Sequence, residues 1–367
     1  MKRLGTVSYN IYCNFTNYGS ACQTWALHQA VKNLGHMPVL VDYCPAVLAE
    51  QNPLNPYKNM WDKDEESRRM VEMTMPAIRE NYAKFDHFYR ERFTRTKKKY
   101  MSENFSEITS ELLDGFICGS DTIFCIDEFR GFDDGYYANY PEMRGNTVAY
   151  AASFGSSHFD ERTYGILNDR LKNFKAIALR ENGMLSYVRE HVEVPVAGTV
   201  DPTLLLTSKD YDTIAESRQY EKPYLLLYAR CYDPQMEAYA GKTAREKGLE
   251  IIEISLRAIN EKKGHIMRYD AGVEEFLSLV KYSSFVVTNS FHGLIFAVLY
   301  CRPMVVFTRK QAVSKINDLL ALMGMKQYGL TTGEEEYQEI NYDEVHARIG
   351  EARKRSLDFL RMELELL

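Results

Sequence analysis

The chain has 367 residues, more than the roughly 250–300 at which a single hydrophobic core stops growing, so two domains are expected. Its formal charge of −6 leaves no basic domain to displace counterions from a nucleic acid, and no stretch of about 18 apolar residues is present to span a membrane. Seven scattered cysteines without a Cys-x-x-Cys pair exclude a paired-cysteine zinc or dithiol motif, and no export signal is read at Met1-Lys2-Arg3, so reduced thiols in a cytoplasmic protein are expected.

Residues 4–9 read as a short buried strand, followed by a polar loop over 10–18 and an amphipathic helix over about 20–34. Ala21, Trp25, Leu27, Ala30, Val31 and Leu34 recur at helical spacing, and Gly35 supplies the stop. An apolar strand over 38–42 completes a βαβ unit. Residues 54–112 are charged, rich in methionine and mostly helical in pattern, an expected insertion covering the first domain. Within them Phe85, Phe88, Tyr89 and Phe93 form a core-type stripe, and the basic run 90–99 reads as a solvated face. Parallel strands resume at 115–118, 147–153 and 175–179. They end in Gly119-Ser120-Asp121, Phe154-Gly155 and Arg180-Glu181-Asn182, and such strand ends are where open α/β sheets bind ligands.

A second alternating series follows the polar stretch 208–222. Its strands fall at 224–228, 249–254, 285–288 and 304–307, and its helices near 234–247, 273–281, 291–300 and 313–323. The expected class is therefore α/β, with two Rossmann-like domains (1–207 and 208–330) facing a cleft. A final helical segment within 331–367 is placed to pack back on the first domain.

Several residues are suited to chemistry. Thr288-Asn289-Ser290-Phe291-His292-Gly293 lies between an apolar strand and a helix. Backbone N–H groups at a helix start attract anions, Asn289 and Ser290 add donors, Gly293 permits close approach, and a histidine at position 292 is a residue type able to move a proton near neutral pH. A structural histidine fits the same bare pattern. Arg180 follows the strand 175–179 and suits a carboxylate or phosphate, or else an ion pair with Glu181 or Glu190. Asn17-Tyr18-Gly19-Ser20, with Gln23 one turn later, offers a hydroxyl or anion site ahead of a helix. Asp121 is suited either to sugar hydroxyls or base chemistry or to capping, and Arg230 follows a strand of the second domain. No phosphate-binding Gly-x-x-x-x-Gly-Lys loop, no dinucleotide Gly-x-Gly-x-x-Gly after the first strand and no Cys/His metal cluster occurs. Asp62-Lys63-Asp64 sits in the charged insertion, away from any strand end.

Taken in order, these segments resemble the polysaccharide pyruvyl transferase family over about residues 17–320. The resemblance runs through Asn17-Tyr18-Gly19-Ser20 with Gln23, Phe116 to Asp121, Tyr150 to Gly155, Leu179-Arg180-Glu181 and Asp201-Pro202-Thr203-Leu204. It continues through Glu275-Phe276, Val287 to Gly293 and Ser314-Lys315-Ile316. It departs at Thr122-Ile123-Phe124, where members usually end in Trp, and at Ser290, where some carry Arg. The resemblance implies a glycosyltransferase-B-like arrangement with phosphoenolpyruvate as donor and no cofactor or metal. It further implies transfer to two hydroxyls of a sugar in a polysaccharide or lipid-linked saccharide, giving a pyruvate ketal. Arg180 and His292 match the family's donor-binding and catalytic positions. Asn289, Ser290, Phe291, Gly293, Arg230 and Lys315 are then expected on the donor side. Asn17, Tyr18, Gly19, Ser20, Gln23 and Asp121 are expected on the acceptor side. A nucleotide-sugar glycosyltransferase and an inactive carbohydrate-binding homologue are the competing expectations.

Overall fold

The computed structural model describes all residues except Asn10, Asn14, 56–63, Ser156, 309–312, 331, 332, 334 and 336. Residues 62 and 63 of the Asp-x-Asp sequence lie outside the described residues. The described strands form two parallel sheets, one of seven strands in the order β3-β2-β1-β4-β5-β6-β7 and one of six in the order β10-β9-β8-β11-β12-β13. In the first sheet β1 is Arg3–Val7, β2 Met37–Tyr43, β3 Arg95–Tyr100, β4 Gly115–Cys118, β5 Thr147–Ala152, β6 Ala176–Leu179 and β7 Val196–Gly198. In the second, β8 is Tyr224–Tyr228, β9 Glu250–Ile254, β10 Ile266–Met267, β11 Phe285–Thr288, β12 Met304–Phe307 and β13 Gly329–Leu330.

Both sheets reverse their winding once, between β1 and β4 in the first and between β8 and β11 in the second. At such a reversal the two crossover helices leave to opposite faces and open a crevice beyond the strand ends. The central strands are buried on both faces, which explains their unbroken apolar runs, such as Tyr224–Tyr228 and Met304–Phe307.

The eight longer helices among the described residues are α1 Tyr18–Asn33, α2 Glu65–Glu91, α3 Glu161–Leu171, α4 Pro234–Lys247, α5 Val273–Lys281, α6 Phe291–Leu299, α7 Val313–Met323 and α8 Tyr342–Leu366. Two parts of the region 54–112 differ from the sequence expectation. Arg95–Tyr100 is an edge strand pairing with β2: Thr96 turns inward while Lys97, Lys98 and Lys99 stay in water, and a lysine-rich edge resists further pairing. Helix α2 does not only cover the first sheet. Its Glu66, Lys84 and neighbouring Arg92 form ion pairs with Arg257, Glu275 and Glu274 of the second domain, so it braces the two together.

Helix α8 returns to the first domain. Ser356 Oγ accepts from Val200 N at 3.1 Å, and Arg353 donates to the carbonyls of Leu204 and Leu206 at 2.6 and 2.7 Å. The largest buried cluster joins α1, α2, α5 and α6 across the domain boundary, with Tyr18 stacked on Phe276 at 4.4 Å between ring centroids. No helix among the described residues is long and apolar enough to cross a membrane.

Candidate active site

Three loops from the first domain and one helix start from the second converge between the sheets. Arg180 follows β6, Asp201 follows β7 and Asp121 follows β4, while His292 is the second residue of α6. The Asp201 carboxylate is fully buried and holds the group together. One oxygen accepts from Thr203 N and Oγ1 at 3.0 and 2.6 Å. The other accepts from Arg180 Nη1 at 3.0 Å and lies 3.5 Å from His292 Nε2. Burial alone would raise the Asp201 pKa. The charges of His292 and Arg180 and the Thr203 hydroxyl overcome it and hold the carboxyl well below the usual range. Asp121 responds in the same way: burial raises it, while Arg180, Lys315 and His292 together bring it below its ordinary value.

Arg180 is itself only 4% exposed, with Asp121 Oδ1 at 3.6 Å from Nη2 and Glu181 Oε1 at 3.5 Å from Nε. Neither approach is a hydrogen bond, so among the described residues the buried Nε and Nη2 have no hydrogen-bond acceptor and His292 Nε2 has no hydrogen-bond partner. The Arg180 guanidinium lies 4.9 Å from the Phe291 ring centroid, and Lys315 Nζ approaches the same ring at 5.8 Å. Arg180, Phe291, Lys315 and Asp201 line a crevice of about 210 Å³, with Arg355 of α8 also in its wall.

The position of His292 depends on a glycine of the other domain. A Cβ built on Gly19 would lie 1.9 Å from His292 Nδ1, so the imidazole seats directly against the first turn of α1. Gly293 serves the same helix start differently, since a Cβ there would meet Thr288 Oγ1 at 2.6 Å. Ser290 caps α6 by accepting from Gly293 N at 3.2 Å.

Several residues expected at the site prove to be occupied with the scaffold. Gln23 is fully buried: its amide N–H group donates to Ser8 Oγ, Thr24 Oγ1 and the Ser20 carbonyl, and its Oε1 accepts from Ser120 N. It thus ties β1 to β4 across the first crevice. Asn289 does the equivalent in the second sheet, accepting from Arg230 N at 2.8 Å and donating to the Cys231 carbonyl at 2.9 Å. Asn17 caps α1 through Gly19 N and Ser20 N, and Tyr18 donates to the Ala271 carbonyl at 2.7 Å in the domain interface. Ser20 Oγ donates to Asp121 Oδ2 at 3.0 Å, placing that pair at the rim of the Arg180 group. Asp121 holds φ at +69°, a backbone state that Asp tolerates better than most residues.

Arg230 and Lys315 separate. Lys315 joins Arg180, whereas Arg230 lines a different and larger recess of about 470 Å³ between the ends of β8 and β9, the start of α2 and the loop before α1. Asp201 and Glu181 were not singled out from the sequence as site residues. The signals were present in Asp201-Pro202-Thr203 and in the carboxylate directly after Arg180, but nothing local shows that both face the same guanidinium.

Among solved structures, S. aureus MnaA in complex with UDP superposes at a TM-score of 0.54 with 15% identity over 100% of this chain and 98% of that one. A Listeria monocytogenes protein described as a UDP-N-acetylglucosamine 2-epimerase superposes at 0.50 with 10% identity, over 98% and 90%. At these identities the likeness establishes the two-domain fold. No curated protein sequence matches the chain. The family model for polysaccharide pyruvyl transferase matches residues 17–311, from the cap of α1 through the Arg180–Asp201–His292 group, and the chain therefore belongs to the polysaccharide pyruvyl transferase family.

Proposed function

We propose that this transferase moves the pyruvyl group of phosphoenolpyruvate onto two hydroxyls of a saccharide to give a cyclic ketal. The observation that carries the reading is the buried Arg180–Asp201–His292 group, in which a guanidinium and an imidazole from different domains face one carboxylate and keep nitrogens without a hydrogen-bond partner among the described residues. A small dianionic or trianionic donor needs such cations held in place before it arrives, because reorganising them during the reaction would forfeit much of their benefit. Arg180 and Lys315, with the start of α6, receive the carboxylate and phosphate in the crevice of about 210 Å³.

In this scheme His292 is the proton carrier, and Asp201 stabilises its protonated form. A proton adds to C3 of the enol, making the methyl group and leaving C2 electrophilic. The first sugar hydroxyl attacks C2 and gives up its proton. The C2–O bond to phosphate then breaks, the second hydroxyl attacks the same carbon and releases its proton, and inorganic phosphate departs. Of the two hydroxyl protons, one replaces that delivered to C3 and the other leaves with phosphate, so no redox partner enters.

His292→Ala should lower turnover by about 10²- to 10⁴-fold, the usual contribution of a positioned acid or base, while the protein stays folded. Calorimetric titration with phosphoenolpyruvate should show saturable binding that Arg180→Ala removes. The solved MnaA complex contains UDP, so UDP belongs in the same titration. UDP binding without any response to phosphoenolpyruvate would replace this reading with nucleotide-sugar transfer.

A further inference from the structure

The larger recess is not part of the Arg180 crevice, and its electrostatics are uneven. Among the described residues five carboxylates stand in its wall, each already engaged. Asp64 and Asp233 cap α2 and α4, Glu66 pairs with Arg257, and Glu237 accepts from Asn260 and Lys263. Glu253 accepts from Ser255 Oγ, Asn260 and His265 Nδ1, the last at 2.5 Å.

The two guanidinium groups are matched unequally, since Arg257 pairs with Glu66 at 2.7 Å while Arg230 has no carboxylate partner among the described residues. Arg230 forms no ion pair among the described residues. Among the described residues its side chain donates to the Thr16 carbonyl, through Nη1 at 3.5 Å. Arg257 directs Nη1 to Glu66 and lies over the Tyr232 ring at 3.9 Å from the centroid, while its buried Nε has no acceptor among the described residues. A partly buried guanidinium without a counterion, as at Arg230, is costly, and the cost is relieved by an anion entering from solvent, to which Arg257 Nε adds a donor. At about 470 Å³ the recess falls within the range of small-molecule sites, whereas the crevice of about 210 Å³ falls below it and suits a three-carbon donor. Phe15, Tyr232 and Tyr269 supply faces and hydroxyls for the body of such a ligand.

The geometry points to a second anion site, in which Arg230 and Arg257 hold the diphosphate of a diphosphate-linked saccharide while its sugar extends toward His292. This rests on the pyruvyl-transfer reading for the identity of the ligand as acceptor, but the anion site itself does not. Arg230 lies beyond β8 and His292 beyond β11, the two strands flanking the reversal of the second sheet, and Asn289 bonds directly to Arg230 N. An anion on Arg230 is therefore anchored beside the catalytic loop without occupying the donor crevice.

The test is calorimetric titration of the full chain with inorganic diphosphate, UDP-galactose and a short-chain polyprenyl diphosphogalactose, each repeated at saturating phosphoenolpyruvate. Binding is expected in both conditions, and Arg230→Gln and Arg257→Gln should each weaken it at least about tenfold, the loss of one charge-assisted contact. Both variants should keep the wild-type phosphoenolpyruvate isotherm, which also shows that they fold. The tighter of the two galactose compounds identifies whether a nucleotide or a lipid carries the sugar. The inference is overturned if none of the three binds, if binding survives both substitutions, or if phosphoenolpyruvate displaces the diphosphate. Should diphosphate bind through Arg230 while phosphoenolpyruvate does not bind at all, the anion site stands and the pyruvyl-transfer reading falls.

Discussion

Replacing Gly19 by Ala tests whether the imidazole must sit against α1. The added Cβ would lie 1.9 Å from His292 Nδ1, where ordinary contacts begin near 3.4 Å, so the ring must withdraw by about 1.5 Å. Misplacement of a reacting group by about 1 Å costs on the order of 10²-fold in rate. Stability should change little: Ala favours a helix over Gly by about 1 kcal/mol, which offsets much of the about 1–3 kcal/mol typical of overpacking. Arg180 and Lys315 are untouched, so phosphoenolpyruvate affinity should stay within about twofold. The assay is phosphate release from phosphoenolpyruvate with a saccharide that supports wild-type turnover, accompanied by thermal unfolding and donor titration. Full turnover in the Ala variant would refute the placement of His292, and an equal loss of donor affinity would show that Gly19 serves the donor rather than the imidazole.

Asp201→Asn should cost about 3–5 kcal/mol of stability in denaturant unfolding, because it leaves the buried Arg180 short of a counter-charge and sets an amide N–H against other donors. A melting curve matching wild type would remove Asp201 from its central place. His28 supplies a pH test. Burial, with Lys32 adding to it, brings its imidazole down to about 3, and Nε2 meets Thr6 Oγ1 at 2.6 Å. The unfolded chain therefore takes up a proton that the folded chain refuses, so stability is complete above about pH 6.5 and falls below it. The loss from this one group reaches about 2 kcal/mol by pH 5. Unfolding free energies measured for wild type and His28→Asn should converge toward acid pH, and parallel profiles would refute the assignment.

Much of this architecture could be read from the residues. Both sheets announce themselves because parallel strands buried on two faces leave unbroken apolar runs. Arg180 and the 288–293 loop stand out because a charged or titratable residue follows such a run directly. Other features were hidden for physical reasons. Lys97, Lys98 and Lys99 obscure β3, since an edge strand places its charges in water and loses the apolar signature. Polar residues near strand ends look alike in sequence whether they meet a ligand or their own backbone. Gln23, Asn17 and Asn289 turn out to satisfy main-chain groups that burial would otherwise leave orphaned. Asp201 was obscure for the opposite reason: its importance lies in two partners distant along the chain, and only folding brings them to one carboxylate.

The seating of His292 on Gly19 bears on how members of this family could be recombined. The two halves resemble interchangeable cassettes, each with its own sheet, yet His292 of one rests against the backbone and faces the carboxylate of the other. A chimera that grafts a foreign second half would have to inherit Gly19, Asp201 and His292 as a compatible set. Under the acceptor-site proposal, altered saccharide preference is better sought by exchanging the loops around the larger recess than by swapping whole domains.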